Sequence, residues 1–418
     1  MFLHAQNTVI PAQVVISSPR GTNNKIDLPF RTSLYDLKES QMPLPSDLML
    51  IDGLRLFSPA AAVVRVSETF FTRNPIETRV VLAGIRDASD VLRRLLQGGH
   101  SVVAGRLTGA FRRVGRPELA GEILTTMKAA GYVVRETDPF AAQKTLATLP
   151  GAGSPIVGRM QAMWVSMRGQ VREVFPKRPG LPRNKKKYLR QVEEIYRSDA
   201  YHSLSIEGYS VSPELVERVR AGNWDPSHHD ADRESRDALA ARGYWQAFQV
   251  VRGNVAEIIG GANPGGLVRN SHREWYRELF QPCVAAGLIA PGVLAGYRDD
   301  AVYLRESRYV PPRWEAVRDA MPALFDLLEN EKEPGVRAVL GHWLFGYIHP
   351  YPDGNGRMAR FLMNAMLASG GYPWTVIRVE DRKPYLAALD SASVDLDIAP
   401  FASFIAERVQ LSLDQLQD

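Results

Sequence analysis

The chain has 418 residues, a formal net charge of +5 and a single cysteine, Cys283. This length suits two or three domains, and a composition of 45% apolar and 23% charged residues excludes a disordered or fibrous protein. One cysteine excludes an intramolecular disulfide and a cysteine-rich zinc site, and its apolar surroundings predict a buried thiol. The basic excess permits a polyanionic partner without requiring one.

The N-terminal residues show no targeting or membrane segment. The sequence MFLHAQNTVIPAQ lacks the basic stretch and long apolar run of a secretory signal. No apolar run approaches the roughly 18 residues that span a bilayer. We therefore expect a cytoplasmic protein without a membrane partner.

The first hundred residues predict an α+β region. Short β-type runs occupy residues 1–57, and Asp52-Gly53 between apolar flanks indicates a hairpin. Ser58 followed by Pro59 is typical of a capped helix start, and helical patterns continue from there.

Residues 106–136 predict two helices with a break at 115–117, followed by a β-type run. A helix-turn-helix with a wing is one interpretation, in which basic side chains contact DNA phosphates. Solvated arginines on a small helical domain are the other, and the sequence does not separate the two. The basic residues concerned are Arg106, Arg112, Arg113 and Arg116.

The linker-like composition of residues 145–155, TLATLPGAGSP, places the main boundary near residue 150. This divides the chain into an N-terminal region, 1–150, and a second domain, 151–418. The second domain is overwhelmingly helical in pattern, so we expect a mainly α fold there. The predicted helices cover residues 184–208, 233–259, 271–289, 313–331, 335–348 and 356–370.

Nearly all functional information lies in the segment HPYPDGNGRMAR, residues 349–360. Apolar positions at helical spacing predict a preceding helix, buried on one face, that ends at His349. Two prolines prevent its continuation, and Gly354-Asn355-Gly356 permits a tight loop before a second helix near Arg357. Successive backbone N–H groups beside a helix N-terminus form a nest for phosphate.

Side chains around this loop add the groups that phosphate chemistry needs. Arg357 and Arg360 are three apart on one helix face, where both can reach phosphate oxygens as bidentate donors. Asp353 is an oxygen ligand suited to Mg2+, and His349 is a base at neutral pH. The segment therefore predicts a base, a metal ligand, a nest and two cations.

This segment resembles the signature of the Fic family, His-Pro-Phe-x-Asp/Glu-Gly-Asn-Gly-Arg with a second arginine three residues later; Tyr351 replaces the phenylalanine. The resemblance implies a mainly helical fold in which His349 deprotonates a Ser, Thr or Tyr hydroxyl that attacks the α-phosphorus of ATP. It also implies catalytic roles for Asp353, Asn355 and Arg357, with Asp353 holding Mg2+. Gly354, Asn355 and Gly356 would cradle the α- and β-phosphates, Arg357 would contact the β-phosphate and Arg360 the γ-phosphate.

Two flanking segments resemble other parts of the family. Residues 303–317, with the run from Tyr309 to Pro312, resemble a β-hairpin flap at about 302–312 that aligns a target by strand-like pairing. A plain extended connection is the alternative. Residues 372–393 resemble the family's closing stretch and helix, with Tyr385 in a matching position.

An inhibitory motif precedes this core. The run SLSIEG resembles the family's Ser/Thr-x-x-x-Glu-Gly/Asn motif, at the end of a helix predicted from about 184 and capped by Gly208. The resemblance implies that Ser203, Glu207 and Gly208 are inhibitory, and that Glu207 pairs with Arg360 and turns ATP away. A glutamate near the end of a surface helix is the alternative.

The sequence thus favours AMP transfer from ATP to a hydroxyl of a target protein or of the chain itself. Transfer of UMP, GMP or phosphocholine stays open because nucleobase choice lies outside the phosphate loop. Phosphate transfer is disfavoured because the Doc branch of the family, which it would resemble, has an Ala-Asn-Lys/Arg loop where this chain has Gly354-Asn355-Gly356. A DNA-binding regulator is the other class of hypothesis, since the N-terminal half resembles AbiEi-type antitoxins. A homodimer is compatible with the family.

Overall fold

The computed structural model describes residues 1–415, except 30, 41, 52, 142–153, 223–235 and 306. Contacts divide the chain into two units, Met1–Ser166 with Leu304–Val310, and Met167–Tyr303 with Pro311–Asp418. The boundary predicted near residue 150 falls on 142–153, outside the described residues. Within the described part, no helix is both long and apolar enough to cross a membrane.

The first unit begins with two small sheets. β1 (Gln13–Ser18) pairs in parallel with β3 (Thr32–Lys38), which pairs antiparallel with β2 (Asn24–Leu28). β4 (Leu48–Ile51) and β5 (Leu54–Phe57) form the predicted hairpin, and Gly53 has the positive φ of 79° that a tight turn favours. Ser58 Oγ accepts a hydrogen bond from Ala61 N–H, as expected of the predicted cap.

Helices complete the first unit. Their core contains a buried ion pair, in which Arg159 Nη1 donates to Glu77 Oε1 at 2.8 Å. Asn7 Nδ2 donates to the same oxygen. The helices are α1 (Pro59–Arg65), α2 (Glu68–Arg73), α3 (Pro75–Gly84), α4 (Ala88–Gly98), α5 (Ser101–Arg113), α6 (Pro117–Ala129) and the first part of α7 (Pro155–Val174).

The two helices predicted within 106–136 are present as α5 and α6, but no strand forms in residues 130–138. The backbone of this stretch packs on α5 instead. A Cβ atom on Gly105 would lie 1.9 Å from the Arg135 carbonyl oxygen, and one on Gly109 would lie 2.1 Å from that of Thr137. The predicted wing is therefore wrong, because this backbone lies against a helix and not beside a partner strand.

The second unit is helical in its described residues, so the predicted mainly α fold is confirmed. α10 packs on α11 and α13 on α14, and α14 also contacts α8. Cys283 is buried, as predicted. The helices are α8 (Lys185–Ile206), α9 (Pro213–Arg220), α10 (Arg236–Ile258), α11 (Pro264–Ala285), α12 (Trp314–Asn330), α13 (Pro334–Ile348), α14 (Asn355–Ala368), α15 (Arg382–Val394) and α16 (Ala399–Asp414).

The two helices that carry the predicted site lie in the core. α13 is buried on nearly every side and not only on the one face predicted, and α14 is buried everywhere except at Gly356. Core helices hold their ends in fixed positions because their side chains pack on neighbours in all directions. The loop between α13 and α14 is therefore built on a rigid frame.

The predicted β-hairpin flap at 302–312 is not formed. The described residues between 301 and 313 contain no strand, so the extended connection is what the structure shows. Pro311 and Pro312 have no N–H to donate to a ladder, and the Pro312 carbonyl accepts from Arg298 instead. Within the first unit, Ile10 N–H donates to the Arg308 carbonyl at 2.8 Å.

Candidate active site

His349 lies at the C-terminal end of α13 with a φ of 50°, in the left-handed region. Its Nδ1 is 3.4 Å from the Gly346 carbonyl oxygen. A carbonyl only accepts, so we assign the ring proton to Nδ1, which leaves Nε2 as the basic nitrogen. Burial lowers the pKa of His349 by more than the hydrogen bond to the Gly346 carbonyl raises it, and Arg298 lowers it further, which favours a neutral imidazole at pH 7.

The side chain of Asn355 holds the loop after His349 in place. Its Oδ1 accepts from Tyr351 N–H at 3.0 Å, and its Nδ2 donates to the Tyr351 carbonyl at 2.7 Å. With both side-chain groups engaged, what Asn355 offers to a phosphate nest is its backbone. The Tyr351 ring stacks on Tyr276 with centroids 3.7 Å apart, and its hydroxyl is buried with no hydrogen-bond partner in the described part. The ring does the packing here, so phenylalanine would serve equally.

The N-terminus of α14 forms the floor of the site. Gly354 precedes this helix with a φ of 80°, and a Cβ atom there would lie 2.8 Å from the Phe280 ring. The first turn of a helix leaves N–H groups without intrahelical partners, and the helix dipole adds positive charge at the same end. The glycine therefore opens the floor to a close anion.

Two buried arginines face this floor from α14. The Arg357 guanidinium packs on the rings of Tyr209 and Phe280, 5.2 and 5.0 Å from their centroids. Its Nε and Nη2, and Nη1 of Arg360, are buried without hydrogen-bond partners among the described residues. Both side chains are at most 3% exposed. Buried donors of this kind fit a ligand with several acceptor oxygens.

The structure brings the predicted inhibitory residues onto Arg360. Glu207 Oε1 accepts from Arg360 Nη2 at 2.7 Å, while Ser203 Oγ accepts from Arg360 Nε at 2.8 Å. α8 ends just before Glu207, and Gly208 has a φ of 87°, as expected of a cap. Burial alone would raise the pKa of Glu207, but the charges of Arg360 and Arg357 outweigh it and lower that pKa.

The Glu207 carboxylate also lies close to the backbone of Gly356, in the loop at 349–360. A Cβ atom on Gly356 would lie 2.1 Å from Glu207 Oε1 and 3.2 Å from Arg360 Nη1. The carboxylate therefore stands where the helix N-terminus and Arg360 converge, which is the space an anionic ligand would need.

Asp353 lies beside the N-terminus of α14, where its carboxylate could bind a metal ion that also contacts a phosphate group. Its side chain is 55% exposed, its Oδ2 is 3.6 Å from Arg357 Nη2, and its Oδ1 accepts from Gly354 N–H. The described residues contain no group of three or more His, Cys, Asp or Glu side chains that could hold a metal by themselves. Mg2+ at a phosphate site needs only one or two carboxylates, so Asp353 fits this ion.

Sequence reasoning missed three residues of the site. Tyr209 directly follows the predicted inhibitory motif, and this adjacency was a usable signal. Phe280 lies in α11 and Arg298 in the connection after it, and neither stands in a local pattern that marks a site. Both reach the loop only through the tertiary fold.

The four N-terminal arginines proposed for DNA contact are engaged within the first unit. Arg106 is buried and donates to the Val66 carbonyl. The other three also have internal partners: Arg112 donates twice to Glu136, Arg113 lies 3.7 Å from Asp138, and Arg116 donates to the Ala83 carbonyl. This geometry fits the alternative interpretation, a small helical region with partnered arginines.

A neutral imidazole, a helix N-terminus and two buried arginines form a site suited to binding a ligand with phosphate groups. Residues 267–367 match the model of the Fic/DOC family, so this chain carries a Fic domain, as its signature predicts.

The chain is also similar to curated relatives. Protein adenylyltransferase Fic of Nematostella vectensis is 30% identical over 230 residues, which cover 54% of this chain and 49% of that protein. Protein adenylyltransferase Fic of Drosophila virilis is 43% identical over 229 residues, 54% of this chain and 43% of that protein. A solved structure of Fic-1 from C. elegans has a TM-score of 0.46 at 17% identity, covering 86% of this chain and 98% of that chain. The chain spans about half or less of the length of these curated relatives.

Proposed function

We propose that the chain is a Mg2+-dependent protein adenylyltransferase that transfers AMP from ATP to a hydroxyl of a target protein or of itself. The supporting observation is the set of buried guanidinium nitrogens on Arg357 and Arg360, beside the N-terminus of α14, that have no hydrogen-bond partner among the described residues. An unsatisfied buried donor costs about 1–3 kcal/mol or more, so such a set is retained where a polyanion binds. The name of the relatives, protein adenylyltransferase, supports AMP as the transferred group.

In this proposal His349 is the general base. Its Nε2 accepts the hydroxyl proton while the oxygen forms a bond to the α-phosphorus of ATP. The bond from that phosphorus to the bridging oxygen breaks, and pyrophosphate leaves. Arg357, Arg360 and the first N–H groups of α14 stabilise the charge that develops on the phosphate oxygens. Mg2+, held by Asp353 together with phosphate oxygens, would neutralise further charge.

We also propose that Glu207 inhibits this reaction in the resting enzyme. Its carboxylate accepts a hydrogen bond from the Arg360 guanidinium, which is the group proposed to bind the γ-phosphate. Two anions cannot share this pocket without strong repulsion, so ATP must displace Glu207 or bind with its phosphates misplaced. Replacing Glu207 by glycine should free both Arg360 and the space beside Gly356.

The test is label transfer from α-32P-ATP with Mg2+ and cell lysate. We expect weak labelling by the wild type, strong labelling by Glu207→Gly, and none by Glu207→Gly with His349→Ala. Glu207→Gln is the matched control, since it keeps the shape of the side chain and removes its charge. EDTA should abolish the signal.

Other labels separate the alternatives. Labelling from γ-32P-ATP but not α-32P-ATP would indicate phosphate transfer, and labelling only from α-32P-UTP or α-32P-GTP would indicate another nucleotide. Failure with all labelled nucleotides in the Glu207→Gly variant would contradict the proposal. Equal labelling by wild type and Glu207→Gly would contradict the inhibitory role alone.

A further inference from the structure

We propose that Arg298 is a positioning residue for the transfer reaction, because its guanidinium fixes both the end of α13 at His349 and the neck of the segment that follows Arg298. The neck is the pair of residues Asp300 and Pro312, which flank residues 301–311. The inference rests on the proposed function, and it names a residue that acts through His349 and not on the substrate itself.

Arg298 supplies the donors that the end of α13 lacks. A helix ends in carbonyl groups without intrahelical partners, and Pro350 and Pro352 have no N–H to offer. Arg298 Nε donates to the His349 carbonyl at 2.8 Å, and Arg298 N–H donates to the Pro350 carbonyl at 2.9 Å. The left-handed conformation of His349 persists only where its surroundings enforce it, and these bonds do so.

The same guanidinium joins the two sides of the neck. Nη1 donates to the Asp300 carbonyl at 2.8 Å, and Nη2 donates to the Pro312 carbonyl. Arg298 is only 4% exposed, so these bonds are shielded from water. The described residues of the segment between them form no strand ladder. The bonds from Arg298 therefore restrain the two ends of this segment, while Ile10 N–H donates to the Arg308 carbonyl within it.

Only arginine can make this set of contacts. Its planar guanidinium presents five N–H donors in a fixed fork, whereas the lysine ammonium is a single point with three rotatable donors. A positive charge at the C-terminal end of α13 is also favoured by the helix dipole. Lysine would keep that charge and lose the fork, so it isolates the geometric role.

The test compares Arg298→Lys and Arg298→Gln with Arg337→Lys, all in the Glu207→Gly background. Arg337 is a matched control because it is buried, lies in α13 and donates to a backbone carbonyl, that of Glu331, yet stands twelve positions before His349. We expect kcat for AMP transfer to fall about 10- to 100-fold in the Arg298 variants, as misplacement of a catalytic group does. KM for ATP should change little, because the nest and both phosphate arginines are untouched.

Trypsin cleavage after Arg305 and Arg308 gives a second measurement that needs no activity. Both side chains are exposed, and loosening the neck should speed cleavage there in the Arg298 variants but not in Arg337→Lys. If Glu207→Gly transfers no nucleotide, the proposed function fails, and these cleavage rates still test how Arg298 holds the neck.

Three results would overturn the inference. The first is an equal loss of kcat in Arg337→Lys, which would indicate a general effect on stability. The second is a rise in KM for ATP as large as the fall in kcat. The third is cleavage at the parental rate in both Arg298 variants.

Discussion

At the residue scale, the site depends on atoms held in positions that few side chains tolerate. His349 and Gly354 both have positive φ angles, 50° and 80°, on either side of the loop. The bonds made by Asn355 and Arg298 maintain this shape from two directions. The result is a half-buried imidazole whose Nε2 has no hydrogen bond to the residues that the structure describes.

The protonation of His349 can be measured directly. Burial is the largest effect and lowers its pKa; the hydrogen bond to the Gly346 carbonyl raises it, Arg298 lowers it, and Glu207 and Asp353 raise it by smaller amounts. We therefore expect the imidazole to titrate below pH 6.5, its ordinary value, and to stay neutral throughout the physiological range. An NMR titration of histidine side chains, with the His349 signal assigned by its loss in His349→Ala, measures the midpoint. A midpoint at or above 6.5 would contradict the burial that the structure shows.

At the residue scale, candidate site residues could be proposed from the sequence where the signal was local. His349, Asp353, Gly354, Arg357 and Arg360 stand within twelve consecutive positions, so spacing alone brings them together. Arg298 lies 51 residues before His349 and Phe280 still earlier, and their approach depends on the packing of α11 and α13. No local pattern encodes such an approach, which is why these residues emerged only from the structure.

At the scale of elements, one glycine sets the distance between α10 and α11. A Cβ atom on Gly243 would lie 2.1 Å from the Leu279 carbonyl oxygen. The backbones of α10 and α11 are therefore in contact at this point, where a larger residue would not fit. Phe280, the next residue of α11, packs on Arg357. The distance between α10 and α11 therefore affects the position of Arg357 through the side chain of Phe280.

Gly243→Ala should lower stability by about 1–3 kcal/mol, because the added methyl group forces the two helices apart. Gly253 in the same helix is a matched control: it is exposed, and a Cβ atom there meets nothing within 4 Å. Gly253→Ala should raise stability by about 0.5–1 kcal/mol through helix propensity. Thermal unfolding of both variants measures the difference, and a melting point lowered by Gly253→Ala or unchanged by Gly243→Ala would contradict the packing.

Helices were predictable as elements, whereas the strands expected of the wing and the flap were not. The apolar spacing in 313–331 and 335–348 gave α12 and α13 nearly to the residue. A helix satisfies its own backbone, but a strand needs a neighbour that the sequence of one segment does not reveal. Residues 130–138 pack against the glycines of α5. The segment 301–311 is joined at its neck, Asp300 and Pro312, by hydrogen bonds from Arg298.

At the scale of the whole molecule, ligand binding at Arg360 should change the free energy of unfolding. A ligand that binds only the native state stabilises it by about 2.7 kcal/mol at 100 times its Kd. Since Glu207 and the γ-phosphate are proposed to compete for Arg360, the wild type gains less from ATP than a variant without the carboxylate.

We expect ATP with Mg2+ to raise the melting temperature of Glu207→Gly more than that of the wild type. ADP is the matched control ligand: because it lacks the γ-phosphate, the shift that it causes should differ less between the two proteins than the shift caused by ATP. Differential scanning fluorimetry over a range of nucleotide concentrations measures this. Equal ATP-induced shifts in the two proteins would argue against competition at Arg360.

The position of Glu207 along the chain has a consequence for biosynthesis. It precedes Arg360 by 153 residues, so a ribosome adding about 5–20 residues per second delivers the carboxylate roughly 8 to 30 seconds before the arginine. α8 can therefore be complete before the loop at 349–360 leaves the ribosome. If Glu207 inhibits as proposed, a nascent chain would not present Arg360 before its acidic partner has been made, and the newly made protein would be inhibited from the start.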